Sequence, residues 1–201
     1  MSMKKIHTIE FELPRWIEEY MMQYSNTDSV SERMEFVIGA AKKNILEGTG
    51  GPFAAAIFDT SNWDLISLGI NLVTTQNMST LHAEMVAIMI AQKKLQTYDL
   101  GSDSLPPHQL VTSTEPCAMC FGAIPWSGLT SVVSGAGDID ARSIGFDEGP
   151  KPNDWAKELE IRGIKVTQNV SKDLAKSVFD LYVELNGEIY NSRSSLGGIT
   201  D

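Results

Sequence analysis

Two cysteines, Cys117 and Cys120, are the chain's whole complement of thiols, and they stand three positions apart behind Pro116 in "TSTEPCAMCFGAIPWSG". Residues at i and i+3 share one face of a helix, and the N-terminal end of a helix favours anions, so thiols placed there ionise readily. Three roles suit such a pair: a redox dithiol, half of a metal site, or two ordinary buried cysteines. "LHAEM" at 81–85 shifts the balance. His82 opens an apolar helical pattern and Glu84 follows two positions later, where a carboxylate is costly to bury without a reason. His82, Cys117 and Cys120 are the three ligands a catalytic zinc ion takes, one ion per chain, with the fourth tetrahedral position left to water. No further cysteine exists to close that position. Zinc brings the pKa of such a water down to about 7, and Glu84 is then the carboxylate that takes the proton, passes it to a ring nitrogen of a substrate and protonates a departing amine.

Apolar spacing predicts the elements that must bring residues 82–84 and 117–120 together. Leu13, Ile17, Tyr20, Met21 and Tyr24 predict a helix over 13–24, and Met34, Val37, Ile38, Ala41 and Ile45 a second over about 31–46. "EGTGGPF" breaks the pattern, after which "FAAAIFD" and "LISLGINLV" read as an antiparallel hairpin around "TSNWD". Ser79 or Thr80 is placed to cap a buried helix over 81–96. "LVTST" predicts a strand, Pro116 the first position of the helix "CAMCFGAIPW", and "LTSVVSGAG" another strand. Residues 137–156, rich in Gly, Pro and Asp, read as a long functional loop. "LEIRGIKVTQNV" follows as a helix end plus a strand, and "DLAKSVFDLYVELNGEIY" as a last amphipathic helix. Strands alternating with helices predict one α/β domain over 1–201 with a mixed sheet between helical layers. Its motif-bearing core spans about 34–170, preceded by the helix at 13–24 and followed by a helix and tail at 172–201.

Composition narrows the partners. The 201 residues carry 26 Asp and Glu against 16 Lys and Arg, a formal net charge of −10, and the basic residues are scattered, which opposes binding to a nucleic-acid backbone. No stretch approaches the length of apolar sequence that crosses a membrane, and no apolar run follows the N-terminal lysines. Two thiols cannot build a secreted disulfide framework, so a cytoplasmic, reducing setting is expected.

His82-Ala83-Glu84 followed by Pro116-Cys117-Ala118-Met119-Cys120 matches the H-x-E…P-C-x-x-C signature of the zinc nucleobase and nucleoside deaminases. Within that superfamily the chain, from about Met34 to Tyr190, resembles the bacterial guanine deaminases built on the cytidine-deaminase fold. "GGPFAAAIF", "LHAEMVAI", "EPCAMCFGAIPWSG" and "GFDEGPKP" carry the resemblance. It implies a three-layer αβα sandwich with a central mixed five-stranded sheet, a homodimer, and hydrolysis of guanine to xanthine and ammonia. It further implies that Phe53 and Trp126 sandwich the purine, that Asn71 bonds its edge, and that Ala83, Asp147 and Glu148 also contact it. Glu148 would share proton transfer with Glu84, and the tail, with Tyr190, would cover the site. Other readings stand beside this one. The same chemistry suits cytosine, an aminotriazine or a nucleoside such as cytidine or guanosine, whereas tRNA adenosine is opposed by the net charge. A thiol oxidoreductase leaves His82 and Glu84 without a role, and a zinc-holding binding module needs a fourth protein ligand.

Overall fold

The computed structural model describes residues 8–191, and these form a five-stranded sheet between two helical layers. The strands are β1 (Ala54–Asp59), β2 (Leu65–Ile70), β3 (His108–Thr114), β4 (Ser131–Ala136) and β5 (Lys165–Thr167), in the order β2-β1-β3-β4-β5. β1 runs antiparallel to β2 and β3, while β3, β4 and β5 are mutually parallel, so the sheet is mixed as expected.

β1 is buried along its whole length because both faces of the sheet are covered. Its side chains alternate between two cores: Ala54, Ala56 and Phe58 face one side, Ala55 and Ile57 the other. The first side is covered by α1 (Trp16–Met21), α2 (Val30–Leu46) and α8 (Lys172–Glu184). The second is covered by α4 (Ala83–Leu95), α5 (Ala118–Trp126) and α7 (Trp155–Glu160). Two short helices, α3 (Val73–Gln76) and α6 (Asp138–Ser143), sit in the connections.

The chain departs from the predicted elements where a side chain or a glycine decides locally. The first helix spans only Trp16–Met21 of the predicted 13–24. β2 ends at Ile70 because the Asn71 carboxamide accepts from the Val73 N–H (3.2 Å), a local turn that starts α3. His82, in extended conformation, is the residue that caps α4, in place of Ser79 or Thr80, and its ring faces the thiols instead of the helix N–H groups. Pro116 lies one residue before the cap of α5, which is Cys117 itself. The expected loop at 137–156 contains α6, held at its start by the Asp140 carboxylate, which accepts from the Gly137 N–H (2.8 Å). α8 stops at Glu184, and Asn186, with φ +54°, turns the chain back toward the sheet.

Candidate active site

At one end of the strands the start of β1, the ends of β2 and β3 and the first turns of α4 and α5 meet around a cavity of about 330 Å³. His82 Nδ1 lies 3.4 Å from Cys117 Sγ and 3.8 Å from Cys120 Sγ, and the three ligand atoms are all within 4.8 Å of one another. A tetrahedral zinc ion with ordinary Zn–N and Zn–S lengths spaces a nitrogen and a sulfur about 3.6 Å apart, so this trio fits such an ion. It is the one group of three or more potential ligands among the described residues. His108 is no fourth ligand: it is buried on β3, with Nδ1 bonded to the Leu100 carbonyl (2.9 Å). His7, the remaining histidine, lies outside the described residues.

The electrostatics agree with a cation's place. The Cys120 thiol and then the His82 ring, against burial, bring the Cys117 thiol down to about 4. Cys120 itself is pushed up, first by the Cys117 charge accepting its hydrogen bond and then by burial. Burial alone would lower His82, but the adjacent Cys117 sulfur raises it. A low-lying thiolate packed with a second thiol and an imidazole is a place that a divalent ion takes, its ligands giving up their protons on binding.

Glu84, in the first turn of α4, is buried beside the trio. Its Oε1 accepts from the Thr112 hydroxyl (3.3 Å) on β3 and its Oε2 from the Cys120 thiol (3.3 Å), and burial, then the Cys117 charge, raises its pKa. Glu148, equally buried at 6% exposure, is pushed up to about 8 by desolvation, with the Cys117 and Glu84 charges adding to it. Two carboxyl groups thus line one cavity, each biased toward its protonated form.

Glu148 arrives here through its backbone, since its carbonyl accepts from the Ala118 N–H (2.9 Å) at the start of α5. The following loop is tied by Lys151, whose buried ammonium bonds Glu115 (2.8 Å), Asp138 (3.1 Å) and the Pro116 carbonyl (2.8 Å). That cluster joins the acidic loop to the residue just before Cys117.

Phe53 and Asn71 also line the cavity. Phe53 packs edge-on against Phe146 (5.0 Å) and Phe179 (5.7 Å). Asn71 is fully buried; its Oδ1 is engaged with Val73, while its Nδ2 has no hydrogen-bond partner among the described residues. Asn44 of α2 sets both residues in place, its Nδ2 donating to the Gly51 (2.8 Å) and Asn71 (3.0 Å) carbonyls.

Two of the expected contacts lie away from the cavity, and a third lies at its rim. Trp126 is 86% exposed at the far end of α5, six residues past Cys120, and does not line the cavity of its own chain. Ala83 points into the sheet-facing core, since a neighbour one step along a helix is turned about 100° away from His82 and Glu84. Asp147 reaches the rim, with its Oδ1 accepting from the Gly149 N–H (2.9 Å) and facing Arg142 (3.6 Å). Of the acidic pair, Glu148 is the one turned inward.

Thr112, Lys151 and Asn44 were not singled out in the sequence. Asn44 alone leaves a signal there, as an amide on the apolar face of α2.

The model for the cytidine and deoxycytidylate deaminase zinc-binding region matches residues 27–136. The guanine deaminase of Bacillus subtilis (strain 168) is 43% identical over 128 residues, covering 64% of this chain and 78% of that protein. The solved guanine deaminase from Nitrosomonas europaea has a TM-score of 0.84 at 40% identity, over 89% of this chain and 98% of its own. A structure solved in complex with 8-azaguanine reaches a TM-score of 0.86 at 40% identity, over 91% of this chain and 100% of its own.

Proposed function

The chain belongs to the cytidine and deoxycytidylate deaminase zinc-binding family, and from that membership we propose that it hydrolyses guanine to xanthine and ammonia. The observation that carries the reading is the convergence of His82, Cys117 and Cys120 with two buried carboxyls, Glu84 and Glu148, on one cavity. The similarity to guanine deaminases over most of the chain and to a structure holding 8-azaguanine selects the ring.

Zinc, held by His82, Cys117 and Cys120, supplies Lewis acidity that makes water nucleophilic at neutral pH. Glu84 takes a proton from the attacking water and delivers it to N3 of guanine while the oxygen adds to C2. Glu148 then moves the second water proton to the exocyclic amine. The C2–N bond breaks, ammonia leaves, and C2 keeps the oxygen as the carbonyl of xanthine. Burial raises both carboxyls above the ordinary carboxylate range, Glu148 to about 8, which suits them to hold a proton. Phe53 presents an apolar face to the flat ring, and the free Nδ2 donor of Asn71 suits an acceptor on its edge.

A dithiol oxidoreductase has no use for the imidazole and carboxylate that stand against the two sulfurs. A net charge of −10 and scattered basic residues support a small free base over a nucleic acid as substrate, and reduced thiols at the centre support a cytoplasmic setting. We further infer a homodimer in which the exposed Trp126 is covered.

Ammonia release across guanine, cytosine, adenine, guanosine, cytidine and aminotriazines tests the substrate. Guanine is expected to give the highest kcat/KM in protein holding one zinc per chain. Faster release from any other member of the panel replaces the assignment.

A further inference from the structure

We propose that Asn191 is a positioning residue that fastens the C-terminal tail to the acidic loop, so that roofing the cavity and setting Glu148 in place are a single event. Its catalytic consequence rests on the reading of Glu148 given above; its structural half does not.

Three successive tail residues lie along three successive loop residues. Ile189 packs over Gly145, where an added Cβ would stand 3.7 Å from it. The Tyr190 ring meets Phe146 at 5.0 Å. The Asn191 carboxamide then closes the contact with two hydrogen bonds, Nδ2 donating to the Gly145 carbonyl (2.7 Å) and Oδ1 accepting from the Asp147 N–H (3.0 Å). A carboxamide has one donor and one acceptor side, so it satisfies both backbone groups as a paired strand would.

Both sides of this clasp reach the cavity, through Phe146 and Asp147 on the loop and Tyr190 and Asn191 on the tail. Tyr190 is part of its wall, half-buried, with its phenol oxygen buried and packed so near Gly51 that a Cβ there would fall 2.4 Å from it. On the loop side, Glu148 directly follows Asp147. Gly145 and Gly149, with φ of +106° and +68°, bracket the segment in conformations that glycine adopts and side chains resist, and their backbone freedom lets the segment between them pivot.

The two ends of the loop are not held alike. Beyond Glu148 the anchor is the buried Lys151 cluster, a permanent part of the core. Before it, the Asp147 N–H and the Gly145 carbonyl are met by a side chain at the protein surface, where hydrogen bonds exchange with water at small net cost. The tail itself is aimed by Tyr182, whose hydroxyl donates to the Glu188 carbonyl (2.7 Å) and whose ring lies against Gly187, where no side chain fits. Lifting the tail for a substrate to enter therefore releases the limb that carries Glu148, and closing restores both.

Hydrogen exchange with zinc-loaded protein tests the coupling directly. Asn191→Ala is expected to speed exchange at 187–190 and at Phe146 and Glu148 together, with zinc content and the exchange of β3 unchanged. Turnover of guanine should fall about tenfold in kcat, the size expected for losing two hydrogen bonds that hold a proton carrier in line. Asn191→Asp, which keeps the acceptor for Asp147 but loses the donor to Gly145, should fall between. Tyr182→Phe loosens the tail from its other side and should move the same loop amides by a smaller amount. Faster tail exchange with unchanged loop exchange in both Asn191→Ala and Tyr182→Phe overturns the coupling. Coupled exchange with an unchanged kcat overturns the positioning role. Failure of the wild type to act on guanine would remove the assigned reaction while leaving the exchange result to decide the clasp.

Discussion

Glu84 and Glu148 are both buried carboxyls in one cavity, yet their surroundings differ. Glu84 is gripped by the Thr112 hydroxyl and the Cys120 thiol, within reach of whatever the metal holds, whereas Glu148 enters from a loop on the other side of Cys117. Glu84→Gln preserves shape and all three metal ligands but removes the proton carrier, so zinc content should stay near one per chain while kcat falls by about 10²–10⁴. Metal analysis and steady-state kinetics on one preparation check this, and near-full turnover would remove the mechanism. Glu148→Gln should likewise lower kcat with zinc retained. An unaltered rate would make the acidic loop a solvated turn and no more. Asp147 and Glu148 are chemically alike and adjacent, and the fold separates them: Glu148 is buried in the cavity, while Asp147 stands at its rim with Oδ1 accepting from the Gly149 N–H.

Among the elements, α4 bears the most on the site because it carries both His82 and Glu84 and lies directly on β2. The approach is close: a Cβ on Gly69 would fall 2.2 Å from the Ala83 carbonyl and 2.4 Å from the Ala87 nitrogen, both backbone atoms that cannot step aside. Gly69→Ala should therefore push α4 off the sheet, costing roughly 1–3 kcal/mol of stability. Urea denaturation should register that loss, and titration with a metal indicator should register weaker zinc retention. At the other end of the site α6 depends on Asp140. Burial alone would raise this carboxyl, but the Gly137 N–H and then Lys172 (3.1 Å) and Lys176 (3.5 Å) hold it below its ordinary 3.8. On acidification the unfolded chain takes up this proton first. The stability Asp140 contributes is thus present above about pH 4 and is lost as the pH falls through its lower folded value. Asp140→Asn should be less stable than the wild type at pH 6, and the gap should narrow toward about pH 2, read from thermal midpoints across that range.

For the whole molecule, the unexpected feature is Trp126 in open solvent, 86% exposed, with Tyr98 at 85% on a neighbouring segment joined to it through the Leu100 N–H to Ser127 carbonyl bond (2.8 Å). Large aromatic rings concentrate at protein interfaces, and two of them together suit a surface that a second copy covers. Trp126→Glu should shift the protein from dimer toward monomer in sedimentation velocity. A wild type that sediments as a monomer at micromolar concentration would end the dimer reading. Enclosure of the site has a different origin, in the tail. Tyr190 and Asn191 reach the cavity only because α8 ends at Glu184 and the chain reverses at Asn186.

Residue types and short-range spacing were enough to announce the potential metal ligands His82, Cys117 and Cys120, a buried Glu84 beside them, the hairpin of β1 and β2 and the layered mixed sheet. Each of these is written in a local pattern: a three-residue cysteine interval, a histidine two positions from a glutamate, apolar alternation at period two or 3.6. Where a side chain points once the helices are packed is another matter. Trp126 shares a helix with Cys120 yet faces solvent, and Ala83 sits between two site residues yet faces the sheet. The supports contributed by Asn44, Lys151 and Asn191 were hidden for the same reason. Asn44 meets Asn71 across 27 residues, Lys151 meets Pro116 across 35, and Asn191 meets Asp147 across 44. Nothing in one-dimensional spacing relates such partners, because they are brought together by the burial of apolar faces elsewhere, and only the folded chain decides which polar groups then find each other.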